Sequence, residues 1–67
     1  MAPYIDNSGL PRSVQSVLPE HAQDIYREAF NHAWEEQGHD DVTATRVGWA
    51  AVKRRYEKGE AGWRPKV

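Results

Sequence analysis

The sequence contains no cysteine. Disulfides and thiolate metal sites are therefore removed from the means by which so short a chain could be held together. No apolar run approaches the roughly 18 residues that a membrane span requires. The opening residues also lack the cationic and then apolar pattern of a secretory signal. A protein of the cytoplasm, without direct membrane insertion, is the expectation. There is no glycine-rich phosphate loop. Ser8, Ser13, Ser16, Thr43 and Thr45 sit in cap, turn or helix contexts, with no histidine and acid paired to them in the local sequence. No nucleophile is apparent, so neither catalysis nor a tightly bound cofactor is expected. Cations are also scarce at first. Residues 1–41 hold only Arg12 and Arg27 against eight acids, a net −6, whereas residues 42–67 hold seven cations against two acids, a net +5. Such an imbalance fits polyanion binding. It equally fits two halves that fold on each other and neutralise.

What the chain does have is aromatic. A domain of 67 residues buries only about 60% of the surface its unfolded form exposes, so each buried side chain counts. Trp34, Trp49, Trp63, Tyr4, Tyr26, Tyr56 and Phe30 can each bury on the order of 150–250 Å². They are the natural core of one domain spanning residues 1–67.

Periodicity predicts a mainly α fold of three helices. Pro11 and Pro19 suit the first position of a helix, and "LPRSVQSVLP" reads as a short helix over Pro11–Val17. The second helix is predicted over Pro19–Gln37. Ala22, Ile25, Tyr26, Ala29, Phe30, Ala33 and Trp34 follow an unbroken i, i+3, i+4 pattern, and Gly38 is a natural stop. Asp40 or Asp41 can cap the third, predicted over Val42–Lys58. Its stripe is Val42, Thr45, Trp49, Val52 and Tyr56, widened by Ala44, Gly48 and Ala51. Gly48 suggests close packing there, because glycine costs roughly 0.5–1 kcal/mol in a helix interior. The tail is too short for a helix. Trp63 is expected to bring Gly62–Arg64 back against Pro3–Ile5 as a minimal two-stranded sheet, packed on the helices because isolated pairs are weak. The expected core is Ile25, Tyr26, Phe30, Trp34, Trp49, Val52, Tyr56 and Trp63.

Three groups could carry function. His21, Glu28, His32 and Glu35 fall in one outer sector of the second helix, where Glu28 and His32 can meet at i, i+4. Without matching ligands elsewhere, they read as a solvated face ion-paired to Arg27, or as a weak cation surface. His39, Asp40 and Asp41, with Glu35 and Glu36 nearby, could contact Mg²⁺ or Ca²⁺ at low affinity. A hard cation wants six to eight oxygens from a curved loop, and helix capping explains the aspartates more simply. Arg46, Lys53, Arg54, Arg55, Lys58, Arg64 and Lys66 could form a contact for nucleic acid or for an acidic protein surface. Lys53, Arg54 and Arg55 spread over about 200° of helix, so they do not make a single stripe.

The segments "LPRSVQSVLPEHAQDIYREAFNHAWEE" and "RVGWAAVKRRYEKG", followed by a late tryptophan, resemble the ChaB family over almost the whole chain. The resemblance implies three helices with a small sheet. It also implies a small, non-enzymatic regulatory or adaptor role, linked by the family name to cation (Na⁺/Ca²⁺/H⁺) antiport and exerted by contact with a protein partner, with an antiporter as the candidate. Some relatives resemble DNA-binding proteins, which keeps a nucleic-acid-binding domain as the alternative. A low-affinity divalent-cation sensor is a weaker one. In enterobacterial members the connection between the long helices resembles a longer charged loop. Here only "QGHDD" separates Glu36 from Val42, so His39, Asp40 and Asp41 are what is left of that feature.

Overall fold

Prolines and one aspartate set the starts of the helices in the computed structural model, which describes residues 3–66. Asp6 opens a 3₁₀ turn, Asn7–Gly9. Pro11 then precedes α1, Arg12–Gln15, and its carbonyl accepts from the Val14 and Gln15 amides. Pro19 precedes α2, Glu20–Glu36. α1 is shorter than the predicted Pro11–Val17. Leu18 precedes a proline, whose ring disfavours helical backbone in the residue before it. The chain turns after Gln15, and Gln23 Nε2 donates to the Leu18 carbonyl (2.9 Å).

α2 ends in a Schellman-type arrangement. Gly38 takes φ +69°, and the His39 amide reaches back to the Trp34 carbonyl (2.8 Å). Glycine has no Cβ to clash in this left-handed region. His39 shares it at φ +67°, and its ring stacks on Trp34 (centroids 3.9 Å apart, planes at 12°). Asp40 caps α3, Asp41–Arg55, accepting at Oδ1 from the Val42 and Thr43 amides.

The third helix stops three residues before the predicted Lys58. Tyr56 is extended (φ −127°, ψ 154°) and begins β1, Tyr56–Gly59, which pairs antiparallel with β2, Gly62–Pro65, across a two-residue turn. The sheet is thus a C-terminal hairpin and does not join Pro3–Ile5 to Gly62–Arg64. Two physical reasons decide this. Closing a two-residue turn costs far less chain entropy than closing the loop from residue 5 to residue 62. In addition, both backbone groups of Tyr4 are already satisfied by Asn31, whose Oδ1 accepts from the Tyr4 amide (3.2 Å) and whose Nδ2 donates to the Tyr4 carbonyl (2.7 Å). The inner face of the hairpin carries Tyr56 and Trp63. Trp63 lies 5.7 Å from Trp49, ring centre to ring centre.

One apolar cluster links these elements: Leu10, Val14, Leu18, Ala22, Tyr26, Phe30, Ala33, Ala44, Val52 and Tyr56 are buried. Tyr4, Ile25, Trp34, Trp49 and Trp63 pack against it, partly exposed. At the α2–α3 seam, a Cβ on Gly48 would lie 2.8 Å from Tyr26 Cε2. The ring of Tyr26 fills the space that this glycine leaves, and its burial raises the phenol pKa. Val42, predicted on the core stripe, is 66% exposed instead, because it sits in the first turn of α3, beyond the packed seam. Ile5 also points outward, and the aromatic anchor of the N-terminal strap (residues 3–9) is Tyr4, on Phe30 (5.0 Å).

Candidate interaction site

The strap occupies one flank of α2. Asn7 Nδ2 donates to Asp24 Oδ1 (2.7 Å) and Glu20 Oε2 (3.2 Å), while Arg27 Nε donates to Asn7 Oδ1 (2.9 Å). Arg27 therefore serves the strap, and its one ion pair is with Asp24 (3.5 Å). Among the described residues Arg27 turns to Asp24 and Asn7 and not to Glu28 of the outer sector expected from sequence, because the strap approaches from the flank that Arg27 faces. In that outer sector, His21 Nδ1 meets the Tyr56 hydroxyl (3.0 Å), tying the start of α2 to the hairpin. His32 pairs with Glu36 (3.3 Å), both well exposed. Glu35 is exposed in the last turn of the same helix, and the Glu28 carboxylate makes no hydrogen bond or ion pair among the described residues.

The loop residues weighed as cation ligands are spent on local structure. Asp40 Oδ2 accepts from Thr43 Oγ1 (2.8 Å). That bond, with the amides of Thr43 and Val42, holds the Asp40 carboxyl below its ordinary value. Asp41 Oδ1 accepts from Trp34 Nε1 (3.1 Å), and His39 lies flat on the same indole. Among the described residues, no group of three or more His, Asp or Glu side chains is arranged to hold a metal ion.

The seven cations do not gather on one face. With about 100° per residue, Lys53 lies about 20° from Arg46 on the outermost side of α3. Arg54 and Arg55 turn toward α2 instead. Arg64 pairs with Glu57 (3.1 Å) on the outer face of the hairpin. Lys58 and Arg64 flank the hairpin turn, and the Lys66 amide bonds to the Arg55 carbonyl (2.9 Å).

The larger concavity lies between α2 and α3, on the flank away from the strap. It is an open groove of about 910 Å³. Its floor is apolar: Ile25 and Ala29 from α2, Val47, Ala50 and Ala51 from α3. Acids and histidines of α2 (His21, Asp24, Glu28, His32) face Arg54 and Arg55 of α3. The guanidinium groups of Arg54 and Arg55 make no hydrogen bond or ion pair among the described residues. Sequence reading had assigned Ile25 to the core and missed Val47 and Ala50. The available signal was the run Val47, Ala50, Ala51, Arg54 at i, i+3, i+4, i+7, a second stripe beside the aromatic one.

Two long antiparallel helices, a strap and a hairpin, with charge confined to the surface, define a small, mainly helical module. The chain belongs to the ChaB family, which it matches over residues 10–66. Proteins named "Putative cation transport regulator ChaB" from Escherichia coli (strain K12) and from Shigella flexneri are each 54% identical to it, over 87% of this chain and 88% of theirs. The NMR solution structure of a ChaB protein of the same name superimposes with a TM-score of 0.82 at 49% identity, covering 97% of this chain and all of that one. The architecture of three helices and a two-stranded antiparallel sheet is the family's fold.

Proposed function

We propose that this protein is a non-enzymatic regulator of cation transport that works by contact with a protein partner. The names of its relatives supply the physiological direction. The observation that carries the mode of action is the α2–α3 groove, where the side chains of Glu28, Arg54 and Arg55 have no ion-pair partner among the described residues and stand beside an apolar floor. The side chains suited to other chemistry are engaged in local structure. Asp40 caps a helix, Asp41 holds Trp34, and His21 holds Tyr56. Among the described residues no helix is long and apolar enough to cross a membrane, so the proposed partner supplies any membrane-embedded part. The test is cation/proton exchange in everted vesicles from native cells, with and without the gene. Deletion should change the exchange rate several-fold, and the wild-type gene should restore it. Unchanged exchange of Na⁺ and of Ca²⁺ would refute the reading.

A further inference from the structure

We infer that the α2–α3 groove receives an amphipathic helix of a partner protein, one that presents an acid to Arg54 and Arg55 and a base to Glu28. The inference rests on the contact-acting reading above for its biology, though not for its geometry.

The argument begins with what is covered. α1 has only four residues, so α2 and α3 lack a third long helix to complete a bundle. Their seam has two flanks. One takes the strap, through Asn7 on Asp24 and Arg27 and through Tyr4 on Phe30 and Asn31. The other is the groove, where Ile25 and Ala51 remain half-buried and Val47 is 38% exposed. The span from Val47 to Arg55 along α3 is about 12 Å at 1.5 Å per residue, which fits two to three turns of a helix. A concave floor between two helices is the usual seat for the apolar stripe of an amphipathic helix.

Charge then fixes the chemistry of the occupant. Arg54 and Arg55 offer planar guanidinium forks, suited to carboxylates. Both lie near the Tyr56 end of the groove, and Glu28 lies on the opposite wall. None of the three side chains has a hydrogen-bond or ion-pair partner among the described residues. An occupant of uniform charge would satisfy one wall and repel the other. Nucleic acid would meet Asp24 and Glu28 across the groove from the arginines. A helix with an apolar stripe, glutamates on one edge and lysines on the other satisfies both walls. A second copy of this chain would have to bring one concave face onto another, whereas a groove between two helices is filled by a convex helix.

The experiment uses the full chain and two synthetic peptides of about 14 residues. Both have an Ala/Leu/Val stripe. The matching peptide carries Glu on one edge and Lys on the other, and the control carries Lys on both edges. Amide shifts in NMR titrations are followed on the wild type and on Arg54→Glu/Arg55→Glu, whose substituted positions are exposed, so the fold should persist by circular dichroism. The matching peptide should give saturable shifts at Ile25, Val47 and Ala51. The control should bind about tenfold or more weakly, as expected when close charge pairs at an interface are lost. In the double variant the preference should shrink or reverse. Equal binding of both peptides, shifts confined to the hairpin or strap, no saturable shift at millimolar peptide, or a sedimentation dimer that protects the groove would each overturn the inference. The vesicle assay separates this outcome from the regulatory reading. A double variant that restores exchange fully removes the groove and leaves the regulator. If deletion has no effect, the regulator falls and the peptide result still decides the groove.

Discussion

Gly48 shows how a single missing side chain sets the distance between two helices. In an isolated helix alanine is preferred to glycine by about 1 kcal/mol. Here a Cβ would come within 2.8 and 2.9 Å of the Tyr26 ring, which is buried and cannot swing away. Overpacking of this kind costs about 1–3 kcal/mol, more than the propensity gain. Gly48→Ala should therefore lower the urea midpoint without changing the slope, and a raised midpoint would mean that the ring yields. The glycine was legible in the sequence as an anomaly within a helix, though its partner was not. Asn31 left no such signal. A polar residue on the flank of a helix reads as solvated until the fold brings the Tyr4 backbone onto it.

At the scale of elements, the starts of the helices and the Gly38 stop of α2 were legible, and the ends of α1 and α3 were not. Asp40 was a candidate cap from its place before the third stripe. The structure lowers its pKa below the ordinary 3.8, first through the Thr43 hydroxyl and then through the Thr43 and Val42 amides. The folded form thus favours the carboxylate. Its stabilising contribution is complete above the unfolded value near 3.8 and is lost as the pH falls through the lower folded value. Acid titration should fray the first turn of α3, seen as faster amide exchange at Val42 and Thr43. Asp40→Asn, a good neutral cap, should flatten that dependence. Asp6, lowered by Ser8, has the same sign, so part of the global acid sensitivity should persist. The end of α3 was misread because Tyr56 fits the helical stripe and is indeed buried, yet it reaches the core from an extended strand. The hairpin that follows is too small to stand alone. Trp63→Ala should remove the contact with Trp49, worth about 0.5–1.5 kcal/mol beyond its burial. Hairpin amides should then exchange well before those of α2. Hairpin and helix exchanging together would show that the sheet belongs to the global unfolding unit.

For the whole molecule, the net −6 and +5 of the two halves suggested a basic face for nucleic acid, and the fold divides that charge. Arg54 and Arg55 face Asp24 and Glu28 across the groove, and Arg64 is paired with Glu57. Only Arg46 and Lys53 share one outer sector of α3. Each phosphate contact contributes about −0.9 to the slope of log K against log salt. Duplex DNA should therefore show a slope no steeper than about −2 and no complex at physiological salt. A slope near −5 would mean that most of the basic residues act together, in favour of the nucleic-acid alternative.

The sequence by itself determined the class of fold, the helix starts, the aromatic core and the family. The first three rest on local periodicity and on turn chemistry that act within a few residues, and the family rests on the resemblance carried by the two long motifs. Only the tertiary structure decided which strands pair, what covers each flank of α2, and that an apolar groove with opposed charges stays open. Those outcomes depend on competition between distant partners. Asn31 outbids any strand for the backbone of Tyr4, a two-residue turn closes more cheaply than a loop across the whole domain, and Arg27 turns to the strap instead of the outer acids.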